Sequence, residues 1–98
     1  MQSQAQSITI KHKLDVPLTF GEKEIKTLTI RRPTSGDLRG VKLIDVLQMD
    51  VDAHAALLPR ICDEIVDTQF VYKLDIADLS RVISKTVNFF KPSQGAPS

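Results

Sequence analysis

The sequence predicts an α+β fold: an N-terminal β-hairpin or small antiparallel meander followed by three α-helices. Three observations predict it. Apolar and polar residues alternate with period two in runs between Ile8 and Arg32. Pro33 is followed at once by a helix-start pattern, Thr34 to Asp37. Apolar residues then recur at helical spacing behind Asp50 and Asp75.

Residues 1–7 are polar and of low complexity, and a disordered tail is expected there. Ile8, Ile10 and Leu14 alternate with Thr9, Lys11 and Lys13, and His12 falls on the apolar face. Pro17 has no N–H to give a ladder, so pairing should end or bulge at that point. Leu18 and Phe20 resume the pattern, and Gly21-Glu22-Lys23 reads as a turn. Glu24 to Arg32 is the next strand, with Leu28 and Ile30 on one face and Thr29 and Arg31 on the other.

Pro33 stops that strand. The Thr34 hydroxyl is placed to take the amide of Asp37, and the Asp37 carboxylate to reach back to the amide of Thr34. A helix is expected from Thr34 to about Met49. Its apolar residues, Leu38, Val41, Leu43, Ile44, Val46 and Leu47, point almost all round the axis. Either it is the central core helix, or it carries a second surface that a protein partner buries. A strand over Val41–Leu47 competes with both, because periodicity is ambiguous in so short a run.

A second helix is expected from Asp50 or Asp52 to about Val66, with Leu57, Leu58, Ile61, Cys62, Ile65 and Val66 on one face. Pro59 should kink or split it. Thr68 to Leu74 reads as a connection with an apolar patch, Phe70, Val71 and Tyr72. Asp75 caps a third helix, Asp78 strengthens its start, and Leu79, Val82, Ile83, Val87 and Phe90 form its buried stripe. Lys91-Pro92 ends it, and residues 92–98 are expected to be a second disordered tail, leaving one small domain over 8–91.

With 98 residues and 42% apolar content, the chain can bury a modest core. A formal charge of +1 gives no global electrostatic case for nucleic acid or acidic membranes. Residues 1–32 carry six Lys/Arg against three Asp/Glu, and residues 33–98 seven against nine, so the strand half is the basic one. Lys11, Lys13, Lys23, Lys26, Arg31 and Arg32 would line a basic ribbon, but Phe20 is its one aromatic and offers no stacking platform. Cys62 is the only cysteine, so no internal disulfide forms. No apolar run approaches the roughly 20 residues of a membrane span, and MQSQAQS lacks the features of a signal peptide; the cytoplasm is the expected compartment.

Catalytic chemistry finds little support. His12 and His54 lie on different elements with no ligand-spaced Cys or His beside them, so neither metal nor cofactor is expected. Cys62 on an apolar face reads as an inert thiol. Asp63, Glu64 and Asp67 read as a solvated edge, without the spacing of a calcium loop. Gly36 and Gly40 lack the Gly-Lys-Ser/Thr that would make a phosphate-binding loop. The pair Arg31-Arg32 stands out. A guanidinium fork there can meet a carboxylate, either Asp37 in the same chain or an acidic partner.

Three stretches, ITIKHKL, EIKTLTIRRPTSGDL and LDIADLSRV, occur in order over roughly residues 8–90. In that spacing the chain resembles the tail assembly chaperones of contractile-tailed bacteriophages, the Mu-like family, with Arg31, Arg32, Pro33, Thr34 and Asp37 as the structural motif. The resemblance implies a non-enzymatic protein, absent from the finished virion, that coats the tape measure protein and keeps its apolar helices soluble while tail tube protein is recruited. It also implies a longer form of the chain made by ribosomal frameshifting. The over-apolar helix is compatible with homo-oligomers. No family motif marks contact residues, so surface chemistry selects Leu43, Ile44, Leu47, Phe70 and Tyr72 as partner-binding candidates, ordinary core being the alternative for each. A small nucleic-acid-binding or regulatory domain using the basic hairpin, or a toxin–antitoxin type of subunit, are the readings from other classes.

Overall fold

A computed structural model describes residues 9–91. The two expected tails, and Ile8, lie outside the described residues. An antiparallel hairpin, β1 (Thr9–Phe20) and β2 (Lys23–Arg31), is followed by helices, the order the sequence predicts. Residues 21 and 22 form the loop, and Gly21 takes φ +65°, the backbone that the first loop position of a II′ hairpin turn demands. The pairing is a two-stranded hairpin and not a meander.

Pro17 does produce a bulge. The register runs Lys13 to Thr27 and then Leu18 to Ile25, so Leu14–Pro17 lie opposite Lys26 alone. Amides in that bulge lose ladder partners, which a buried acceptor elsewhere must replace. Leu14, Leu28, Ile30 and His12 line the inner face, against which the helix Ile76–Asn88 packs on β1 and the helix Val51–Ile61 on β2.

Behind Pro33 the expected long helix is broken in two. Ser35–Leu38 is a short 3-10 helix, and α1 covers only Leu43–Leu47. Gly40 between them has φ +77°. Arg60 from the next helix donates to the carbonyls of Asp37 and Arg39, each at 2.7 Å, satisfying groups that a continuous helix would have bonded internally. This break removes the puzzle of a helix apolar on every side. Val46 is buried, Leu38 and Val41 are half-buried, and Leu43, Ile44 and Leu47 face out.

α2 (Val51–Ile61) starts on Asp50, whose carboxylate accepts the Ala53 N–H at 2.8 Å. It ends five residues before the expected Val66. Pro59 lacks the N–H that would reach the Ala55 carbonyl, and the Thr68 hydroxyl donates to that carbonyl instead, at 3.3 Å. The chain then runs extended along the outer edge of β2. Cys62 bridges Ile30, the Asp63 N–H donates to the Thr29 carbonyl at 2.9 Å, and Glu64 accepts the Thr29 N–H at 2.8 Å and its hydroxyl at 3.0 Å. An exposed sheet edge is thereby covered.

The expected 68–74 connection contains α3 (Thr68–Tyr72), capped by Asp67 through the Phe70 N–H at 3.0 Å. α4 (Ile76–Asn88) is capped by Asp75 and buries Leu79, Val82 and Ile83 as expected, together with Asp78 and Thr86. Phe70 meets Phe20 edge to face, with ring centroids 6.1 Å apart.

Candidate functional site

Three features carry polar or apolar side chains arranged for a purpose: the Arg31 corner, a buried cluster under the bulge, and an uncovered apolar surface.

At the corner, the Arg31 guanidinium grips Asp37 with both arms, Nη1 to Oδ2 at 2.8 Å and Nη2 to Oδ1 at 2.9 Å. Asp37 completes a capping box, accepting the Thr34 N–H at 2.8 Å and the Thr34 hydroxyl at 3.1 Å. Arg31 also donates to the Arg60 carbonyl at 3.0 Å. The strand end, the 3-10 helix and the end of α2 are thus tied at one point, and of the two partners open to this fork the intramolecular one is used. The Arg31 fork, with the Thr34 groups adding to it against partial burial, holds the Asp37 carboxyl down at about 2. A depressed carboxyl contributes stability that is complete above its unfolded value, near 4, and is lost as pH falls through about 2. Arg31→Gln should therefore cost about 1–3 kcal/mol at pH 7. In urea melts that cost should shrink between pH 4 and pH 2 as Asp37 takes a proton.

Under the bulge, Asp78 is fully buried. Its Oδ1 accepts the Asp15 N–H at 2.9 Å and its Oδ2 the Val16 N–H at 3.1 Å, replacing the ladder partners those amides lost. His12 Nε2 donates to Oδ1 at 3.1 Å while Lys85 Nζ donates to His12 Nδ1 at 3.0 Å. An ammonium can only donate, which fixes the imidazole hydrogen on Nε2. Loss of water pushes the Asp78 carboxyl up, but the two amides and the His12 ring together hold it below the ordinary carboxylate range. Arg81 joins outside, bonding Asp15 at 2.6 Å. Asp78 is more than the helix-start acid expected from its position; it is the acceptor that fixes β1 to α4.

Other titratable groups have structural settings. His54 is buried, its Nδ1 donating to the Asp50 carbonyl at 2.8 Å, and burial pushes its pKa down. Burial, with Glu64 and Asp63 nearby, pushes the Cys62 thiol up to about 12, far from nucleophilic thiolate. Cys62 follows α2 and does not lie on its face. Asp63, Glu64 and Asp67 separate in role: Glu64 bonds Thr29 and Asp67 caps α3, so only Asp63 remains a plain surface acid. Among the described residues no group of His, Cys, Asp and Glu is placed to hold a metal ion. Of the basic ribbon, Arg31 is committed to Asp37, and Lys26 sits 3.7 Å from Glu24.

The partner-binding candidates divide. Leu43, Ile44, Leu47 and Tyr72 are exposed, whereas Phe70 is 3% exposed and belongs to the core, so it leaves the candidate surface. Tyr72 hydrogen-bonds Asp52 at 2.5 Å, beside the start of α2. Met49 and Val51, not selected from the sequence, extend the apolar surface, and Met49 does so from a left-handed backbone, φ +64°. That conformation costs a non-glycine residue about 1–2 kcal/mol. Ile65, expected on the buried face of a helix, is instead 84% exposed. Next to Leu43 a groove of about 240 Å³ opens between the motif and the end of α4, lined by Arg32, Pro33, Thr34, Ser35, Leu38, Leu43, Phe89 and Phe90.

Comparison with known proteins finds relatives of the chain. Residues 11–91 match the family described as phage tail assembly chaperone proteins, E, or 41 or 14. The chain is 38% identical over 80 residues to tail assembly protein E of Escherichia phage P2, covering 82% of this chain and 88% of that protein. It is 37% identical over 83 residues to tail assembly protein E′ of the same phage, covering 85% of this chain and 58% of that longer protein. No solved structure gives a significant match.

Proposed function

The chain belongs to the phage tail assembly chaperone family and has a role in phage tail assembly, and from that premise we propose that it binds the tape measure protein and keeps that protein's apolar helices soluble until the tail tube forms. One observation carries the reading: Leu43, Ile44 and Leu47, at 49%, 55% and 42% exposure, leave the whole outer side of α1 uncovered, with Met49 and Val51 continuing it. A helix that donates one residue, Val46, to its own core and shows water three large aliphatic ones suits a groove-and-helix contact with an apolar partner. The strained backbone at Met49 supports the same reading, since glycine or asparagine would hold that turn at less cost but without the side chain.

In this reading each copy binds weakly, and many copies along one long partner act together by avidity. The tail tube protein is the next component recruited, and the chaperone leaves before the virion is complete. The working unit is a single domain over residues 8–91, acting in the host bacterial cytoplasm; among the described residues no helix is long and apolar enough to cross a membrane. The reading assigns no catalytic step and no cofactor. It includes self-association and a longer frameshifted form. The latter is supported by the near-equal match to two P2 proteins, one of which extends well beyond the matched region.

Co-expression with the tape measure protein from the same phage, pull-down through this chain and sizing by light scattering test the proposal. The expected result is a soluble complex holding many copies of this chain per tape measure. A tape measure that stays insoluble, or that elutes without this chain, contradicts it.

A further inference from the structure

We propose that the groove beside Arg32 holds one large apolar side chain of a tape measure helix, while the Arg32 guanidinium takes an Asp or Glu carboxylate one turn along that same helix. This rests on the tape measure reading and deepens it, by stating the chemistry of the segment that is held.

Two adjacent arginines reach the corner and are used differently. Arg31 commits both arms to Asp37. Arg32 has no carboxylate within 4.0 Å among the described residues, and donates there only to the Lys91 carbonyl, at 3.4 Å and on the surface. A neutral carbonyl at the long end of the hydrogen-bond range leaves the charge of that fork unmet and most of its donors open. Of the two kinds of carboxylate that can meet this arginine pair, Asp37 satisfies the first residue and an outside acid remains for the second.

The groove gives the open charge its setting. Leu38, Leu43, Phe89 and Phe90 supply apolar walls, Thr34 and Ser35 a polar edge, and no Asp or Glu lines it. The carboxylate that bonds Thr34, that of Asp37, is already paired with Arg31. An entering acid therefore meets a guanidinium with no competing anion in the lining, beside apolar surface that strengthens the pair by excluding water. The volume of about 240 Å³ is below the roughly 300–1,000 Å³ of small-molecule sites, so the groove fits a side chain better than a free ligand.

Continuity with α1 indicates a helix as the occupant. Leu43 lines the groove and, with Leu47 four residues on, also forms the uncovered side of α1. A partner helix lying along α1 extends into the groove at its Leu43 end. Residues three or four apart share one side of a helix, so the partner residue in the groove brings an acid at that spacing to Arg32.

Overlapping peptides spanning the tape measure protein of the same phage, immobilised on a sensor surface, test this with the wild-type chain and Arg32→Gln. Peptides that hold the wild-type chain are expected to carry an acid three or four residues from a large apolar residue. Changing that acid to its amide should weaken wild-type binding roughly tenfold or more, as for loss of one charge-assisted pair, and should leave Arg32→Gln binding unchanged. Arg32 gives the described fold one surface hydrogen bond, so this variant should stay folded. Lys23→Gln makes the same charge change at an exposed position at the far end of β2, and should behave as wild type. The proposal is overturned if the amide weakens both chains equally, if wild-type binding ignores the acid, or if no peptide holds either chain. Soluble tape measure on co-expression, together with any of those results, would remove the Arg32 contact and leave the tape measure reading standing. Insoluble tape measure would remove both.

Discussion

Replacing Asp78 with alanine is expected to cost about 3–5 kcal/mol, a large fraction of the 5–15 kcal/mol that holds a typical domain together. Three donors lose their acceptor at once: the Asp15 and Val16 amides of the bulge and His12 Nε2. The His12 ring is buried, and a buried donor left unsatisfied carries its full desolvation penalty, while the two amides lose the contact that pins the bulge of β1 to α4. Lys85 then faces an imidazole that has lost its anchor. Asp75→Ala is the informative control. It removes one cap bond, to Ala77, and should cost only about 1 kcal/mol. Urea denaturation of both variants checks the contrast, and equal costs would mean Asp78 is no more than a helix-start acid.

That contrast shows where reading the chain from its residues stops. Local chemistry was legible. The alternation of strand residues, the Thr34–Asp37 box, the caps at Asp50 and Asp75 and the bulge near Pro17 all depend on neighbours a few positions apart. Asp78 was not legible in its full role, because an acid three residues after a cap is the same signal whether it faces solvent or a bulge 63 residues away in the chain. The break after Leu38 is also non-local: Gly40 permits it, but Arg60 supplies the hydrogen bonds that make it favourable. Pro59 marked the second helix as disturbed, by a kink or a split; α2 instead runs through it and stops at Ile61. What Pro59 could not announce is that residues 62–64 would cover the edge of β2, which turned Ile65 from an expected core position into a protruding one. Among the expected contact residues, Phe70 and Tyr72 are two residues apart on one short helix, yet Phe70 packs into the core beside Phe20 and Tyr72 faces out toward Asp52, a difference set by distant parts of the chain.

The second large effect is expected at α1. In Leu43→Asp/Ile44→Asp/Leu47→Asp, three uncovered aliphatic residues become charged, while Val46, the residue α1 gives to the core, is untouched. Exposed substitutions of this kind usually change stability by no more than about 0.5 kcal/mol each, so the melting curve should stay close to wild type. Partner binding should fall far more. Each buried leucine or isoleucine contributes roughly 1.5–3 kcal/mol, and a carboxylate pressed against an apolar helix adds a desolvation penalty. Avidity multiplies the loss along the partner, so solubilisation should collapse instead of weakening in proportion.

The most direct measurement is the fraction of tape measure protein in the soluble lysate when it is co-expressed with the wild-type chain and, in parallel, with the triple variant. The account predicts soluble tape measure with the former and pelleted tape measure with the latter, at equal amounts of folded chaperone. Tape measure kept equally soluble by both would contradict it, because the uncovered face of α1 would then not be where the partner is held.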